Sequence, residues 1–193
     1  QALIAEATAE YATALYLGRD MNRADSALEL AATRLRGSGF LEQARRMDIR
    51  RVDALAEGGG TPVEELAARL TMIKKEATSS EDWEAVALAL DAELRLHSAQ
   101  EDMDGINTVF KEFREVSAKG RADADAVAVC QLGLAMGVLF GNPADALRAA
   151  TEALTLTKVA KRHRLLALWR YLVVMQYRGL ALTVEVQPLL EEA

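Results

Sequence analysis

A chain of 193 residues, 51% hydrophobic and 27% charged, has enough apolar content to bury a core and is not disordered by composition. Its net charge of −6 and pI near 5.1 exclude the basic footprint of a general nucleic-acid binder. The single cysteine, Cys130, excludes an internal disulfide and a cysteine zinc cluster. Aromatic residues make up only 5%, and the three prolines, at 62, 143 and 188, leave most apolar stretches unbroken, which suits closely packed helices better than a β core. The most apolar run, Leu165 to Tyr177, is interrupted by Arg170 and is too short to span a bilayer. No signal-like start is visible, so a cytoplasmic location is expected, and the opening on Gln1 reads as a segment of a longer protein, although a processed mature chain would look similar.

In chain order, apolar spacing and turn chemistry predict helices in pairs. The first pair is Ala2–Gly18 with the stripe Ile4, Ala7, Tyr11 and Ala14/Leu15, then Asn22–Arg36 with Ala24, Ala27/Leu28, Ala31 and Leu35. Gly37-Ser-Gly39 stops it. The second is Phe40–Glu57 and Thr61–Ala77, separated by Gly58-Gly-Gly60, with Thr61 as N-cap, Pro62 in the first turn and Glu64 completing a capping box. Thr78-Ser-Ser80 closes the unit and offers the next cap. The third is Glu81–His97, with Trp83, Ala87, Leu90 and Leu94 on one face, and Met103–Ala118, with Val109, Phe110, Phe113 and Val116 opposite. The fourth is Asp123–Phe140 and Pro143–Val159, divided by Gly141-Asn142-Pro143. The last is Arg162–Arg178 and a short segment Thr183–Glu192.

The second helices carry a recurrent pair: Ala27-Leu28, Leu66-Ala67, Gly105-Ile106 and Ala146-Leu147, whose first members lie 39, 39 and 41 residues apart. A period of this size, two helices long, marks a helical solenoid. Its hairpins cannot bury their apolar faces alone and do so by stacking. Ala27, Gly105 and Ala146 are expected at the close contact between paired helices, and Leu28, Ile106 and Leu147 in the gap to the next pair. The expected fold is therefore all-α, an α-α superhelix of about five helical hairpins over residues 1–39, 40–79, 80–120, 121–160 and 161–193, forming one domain.

Gly141-Asn-Pro-Ala-Asp-Ala146-Leu147, followed by Ala153-Leu154, resembles the second helix of a tetratricopeptide repeat, and Leu132-Gly133 with Met136 is similar to positions of its first helix. Asn22-Arg-Ala-Asp-Ser-Ala27-Leu28 echoes the fourth unit, with Arg34 in place of the second alanine. The long period is similar to repeats of bacterial LuxR-type regulators and of sensory regions linked to diguanylate cyclases. The resemblance implies a superhelical binding scaffold without catalysis or cofactor, its first (A) helices lining a concave face.

Asp102-Met-Asp104-Gly105 opens like a calcium loop, but no glutamate closes the twelve-residue span, so a solvated loop is expected. His97 and His163 have no His or Cys at ligand spacing, and no metal site is expected. Cys130, among small apolar neighbours, reads as a buried thiol. Around Arg45, Arg46, Arg50 and Arg51, Glu42, Asp48 and Asp53 stand at same-face spacing, which gives either a solvated face of local ion pairs or a site for acidic peptides. Lys158, Lys161, Arg162 and Arg164 give the same choice. Arg46, Arg50, Arg95 and Arg170 are the candidate partner-binding residues on A helices.

The Leu165–Met175 segment is apolar nearly all round and is expected to be buried on all sides. Trp169, Leu172, Met175, Leu189 and Leu190 then form a candidate C-terminal interface, most simply that of a two-fold homodimer. No Ser-His-Asp ordering, phosphate-binding glycine loop or paired-carboxylate motif occurs. The expected role is a non-enzymatic scaffold that binds a protein, a peptide or an adjacent domain of its own chain, within a bacterial signalling or transcription protein. The main alternative is a helical domain that senses a small molecule, and a weaker one is an all-helical enzyme.

Overall fold

The computed structural model describes residues 2–141, 143–158 and 163–178. Among them the chain is helical throughout, as α1 (Ala2–Leu17), α2 (Met21–Gly37), α3 (Leu41–Gly58), α4 (Val63–Ser79), α5 (Trp83–Ala99), α6 (Met103–Lys119), α7 (Ala124–Ala135), α8 (Pro143–Leu156) and α9 (Arg164–Tyr177). A 3-10 stretch, Met136–Phe140, prolongs α7. Within the first unit α1 to α5, and within the second α7 to α9, consecutive helices pack against one another, in keeping with the all-α reading. The breaks between α1 and α8 overlap expected ones, whereas α8 ends at Leu156, before the expected Val159; the expected turns at 159–161 and 179–182 and the segment Thr183–Glu192 lie outside the described residues. None of the described helices is long and apolar enough to cross a membrane.

The helices group into two compact units, Gln1–Met103 and Asp104–Ala193, the boundary falling in the first turn of α6 and so dividing the third expected hairpin. In the first unit α1, α3 and α5 follow one another as A helices, with α2 and α4 as their partners. In the second, α8 packs between α7 and α9.

The turns are built by one device. The amides of Asp20, Phe40, Asp82 and Asp102 donate back five residues to the carbonyls of Leu15, Leu35, Ala77 and His97 at 2.9 to 3.1 Å. The residue before each donor is left-handed: Arg19 at φ 62°, Gly39 at 84°, Glu81 at 56° and Glu101 at 57°. This is the Schellman closure, which satisfies the helix's last carbonyls. Asp20, Phe40 and Asp82 then serve as N-caps of the helices that follow, so three residues suffice to reverse the chain.

Three local expectations are corrected. The helix after the glycine run begins at Val63, not Thr61: Pro62 is extended at ψ 140° and occupies the cap position, and no side-chain capping bond forms. The α5 cap is Asp82, whose Oδ1 accepts from the Ala85 amide at 3.2 Å; Ser80 instead donates its hydroxyl to the carbonyls of Glu76 and Ala77. In α1 the buried stripe is Ala5 and Ala12 with Ala9 beside them, while Ile4, Ala7 and Tyr11 face outward. These alanines pack into one cluster with Ala24, Leu28, Ala31 and Leu35 of α2, and the Tyr11 hydroxyl accepts from Arg23 at 2.7 Å on the outside.

The recurrent pair shifts by one position. Leu28, Leu66, Ile106 and Ala146 are fully buried, whereas Ala27, Gly105 and Leu147 are only half-buried. The expectation of burial on all sides belongs to a different helix. α5 buries eleven of its 17 residues, including Glu84, Asp91 and Glu93, whereas α9 leaves Leu165, Trp169 and Tyr177 exposed. α5 is packed by both α3 and α4.

In the second unit the ring of Phe113 on α6 lies where a Cβ on Gly133 of α7 would stand. Phe110 meets Phe140 with ring centroids 6.0 Å apart. Gly133→Ala is therefore expected to lower stability by about 1–3 kcal/mol through overpacking. Gly58→Ala, in a helical position with open space around it, should be neutral or raise stability by at most about 1 kcal/mol. Urea unfolding of the two variants checks this; equal midpoints would show that the Phe113 ring yields without cost.

Candidate functional site

The A helices of the first unit are joined by polar side chains at a chain distance close to the 39–41-residue period. From α1 to α3, Arg50 Nη1 donates to Thr13 Oγ1 at 2.6 Å and the Tyr16 hydroxyl to Asp53 at 3.3 Å, both 37 residues apart. Arg19 reaches Glu57 at 2.8 Å, 38 residues on. From α3 to α5, Arg45 clasps Asp82 through Nε at 2.8 Å and Nη2 at 2.7 Å, and Arg46 pairs with Glu84. Arg95 returns to both oxygens of Asp53, 42 residues back, at 2.7 and 2.8 Å. The second unit repeats the pattern: Arg170 of α9 donates to the Leu132 carbonyl of α7 at 2.5 Å, 38 residues away.

These bridges correct the local ion pairs expected around the arginine cluster. Arg46 takes Glu84 rather than Glu42, Asp48 takes Arg36 of α2, and Asp53 takes Arg95. Arg51 turns to the other side and binds Asp25 and Glu29 of α2 at 2.6 and 2.9 Å. The i,i+3 and i,i+4 spacings are real on the sequence. Carboxylates held on the adjacent helix are desolvated with their partners, however, and bind the guanidinium forks more strongly.

The candidate arginines thus have different environments. Arg46 is largely buried on Glu84, and its Nε has no hydrogen-bond partner among the described residues. Arg95, 51% exposed, is held by Asp91 and Asp53. Burial works against its charge, but those two carboxylates outweigh it and raise its affinity for the proton. Arg170 is buried and serves a backbone carbonyl. Arg50 stands apart. It is half-buried, with one bond to a hydroxyl and no carboxylate at ion-pair distance among the described residues. Burial lowers its pKa and the nearby Arg46 charge adds to the lowering, while the charges of Tyr16, Glu10 and Asp53 oppose it.

At the C-terminal end, Trp169 is 54% exposed, Leu172 half-buried and Met175 buried; Leu189 and Leu190 lie outside the described residues. Arg164 is buried and donates to the Leu154 carbonyl at 2.7 Å, while Lys161 and Arg162 are outside the described residues. His97 Nδ1 lies 2.8 Å from Asp102, which closes the α5–α6 turn. Cys130 is buried, and burial with the Asp123 charge pushes its thiol up to about 12. No cluster of three metal-ligating side chains occurs among the described residues.

Tyr16, Asp53 and Arg95 form a continuous polar chain across three A helices. The sequence signal for it was the period itself: Tyr16, Asp53 and Arg95 lie 37 and 42 residues apart, and only a stacking register makes them neighbours. Burial pushes the Asp53 carboxyl up, and Arg95 opposes the shift. Comparison with protein-family models, with curated proteins and with solved structures finds no match to this chain.

Burial, then the Asp53 charge, pushes the Tyr16 phenol up to about 12 from an ordinary value of 10.0. The folded chain holds this proton more tightly than the unfolded one. Its stabilising contribution is complete below the ordinary value and is lost as pH rises toward the folded value, at about 1.4 kcal/mol per pH unit. Wild type should therefore lose stability between pH 10 and 12 more steeply than Tyr16→Phe. Urea midpoints at several alkaline pH values, with phenolate absorbance followed in parallel, check this. Parallel curves for the two proteins would remove Tyr16 from the buried chain.

Proposed function

We propose that this chain is a non-enzymatic interaction scaffold of tetratricopeptide-like hairpins, cytoplasmic and part of a bacterial signalling or transcription protein. It binds an acidic segment of a protein partner, or of an adjacent domain, along its A-helix side. The observation that carries the reading is Arg50. Its neighbours Arg45, Arg46 and Arg51 are all bound to carboxylates, whereas Arg50 uses one of five guanidinium donors on Thr13. A carboxylate from outside would complete a bidentate pair and offset the desolvation of the charge.

The sensing alternative is less well supported. Small-molecule sites commonly enclose about 300–1,000 Å³, whereas the cavity between α2, α3 and α4 holds about 150 Å³ and that between α6, the 3-10 stretch and α8 about 20 Å³. An all-helical enzyme would need converging acid, base or nucleophilic groups. The polar chain here instead ties carboxylates to arginines. Exposed Leu165 and Trp169 on α9 support association through the C-terminal end as a second surface.

Photo-crosslinking from Arg50-adjacent positions in the native host would capture the partner, and calorimetry with the purified pair would measure it. Arg50→Gln is expected to weaken binding about tenfold or more, Arg50→Lys less so, and Arg69→Gln not at all. Equal affinity of Arg50→Gln and wild type would refute the A-helix site. A stoichiometric small molecule released from the native protein on denaturation would favour the sensor.

A further inference from the structure

A groove of about 150 Å³ opens on the opposite side of α3 from the polar chain, between the last turn of α2 and the middle of α4. Its floor is apolar: Val52 and Ile73 are buried, and Met72 is 64% exposed beside them. A space of this size holds a benzene-sized group, too little for most metabolites and enough for one aliphatic side chain. The methionine thioether is polarizable and conformationally adaptable, and can close over whatever enters.

The rim decides the charge of the occupant. Arg36 is bound to Asp48, Arg51 to Asp25 and Glu29, and Arg69 to Glu65. Glu76 is the exception: its carboxylate has no hydrogen bond or ion pair among the described residues. Burial raises the pKa of Asp48, Arg36 opposes the shift, and the Glu76 charge adds to it. The charge left unanswered at the mouth is therefore negative, although three arginines line it. A cation set over Glu76 would answer that charge and relieve its repulsion of Asp48.

We propose that this groove is a docking site for a protein segment that inserts one aliphatic side chain against Val52, Ile73 and Met72 and sets an adjacent basic residue on Glu76. It lies on a different surface from the Arg50 site, so either can fail without the other.

Protein labelled with ¹³C at its methionine methyls is titrated with N-acetyl-leucyl-lysinamide and, separately, with N-acetyl-leucyl-glutamamide, both into the tens of millimolar. Met72→Leu assigns the signal. The Met72 methyl is expected to shift saturably, with several-fold tighter binding of the lysine probe, and Glu76→Gln should abolish that preference while leaving the fold, read by circular dichroism, unchanged. A Met72 signal that does not move, that responds equally to both probes, or that keeps its lysine preference in Glu76→Gln overturns the proposal.

Discussion

The ion pair between Arg45 and Asp82 holds the first unit in register. Its side chains are only 8% and 5% exposed, two nitrogens of the guanidinium face the carboxylate, and the same carboxylate caps α5 through the Ala85 amide. Removing one member of such a pair leaves a buried charge and typically costs about 3–5 kcal/mol. The start of α5 is thus tied to α3 at one point, and a slip of a single residue would break both the ion pair and the cap. Arg46 with Glu84, and Arg95 with Asp53, repeat the constraint along the helices. A stack of hairpins with smooth alanine-rich faces could slide; directional polar bridges remove that freedom.

The bridges also explain how so charged a helix as α3 can sit between neighbours. Arg45 and Arg51 of α3 point to different sides, toward α5 and α2, and each ends on a carboxylate. Burial of the long aliphatic stems contributes packing as well as charge. The surface available to partners is what this internal pairing leaves over. On α3 that remainder includes the Arg50 guanidinium on one side, and the groove on the other side adds the Glu76 carboxylate.

Much of the helical pattern was legible from punctuation. Gly39 and Gly141 stand at left-handed positions, and the breaks they mark were readable from their lack of a Cβ. Arg19, Glu81 and Glu101 occupy the same backbone region, where a side chain costs energy, and nothing in their chemistry announces it. Those turns were found because the glycines and capping residues around them set a spacing. Where spacing was absent, local chemistry misled: Thr61 followed by Pro62 and Glu64 spells a cap that the extended proline then displaces by one residue. In α1, apolar size suggested Ile4 and Tyr11 as the core, although it is Ala5 and Ala12 that are buried against α2.

By itself the sequence determined that the described residues are helical and, to within a residue or two, where most of their helices break, because helix period and turn chemistry are local properties. Tertiary structure alone decided which charge meets which. Asp53 stands three residues from Arg50 and 42 from Arg95, and stacking gives it to the distant one. The same stacking leaves Arg50 with only a hydroxyl, buries α5 instead of α9, and brings Val52, Ile73 and Met72 to a common floor. Such outcomes depend on how far apart neighbouring helices sit and how they rotate about their axes, and single-chain spacing does not encode either.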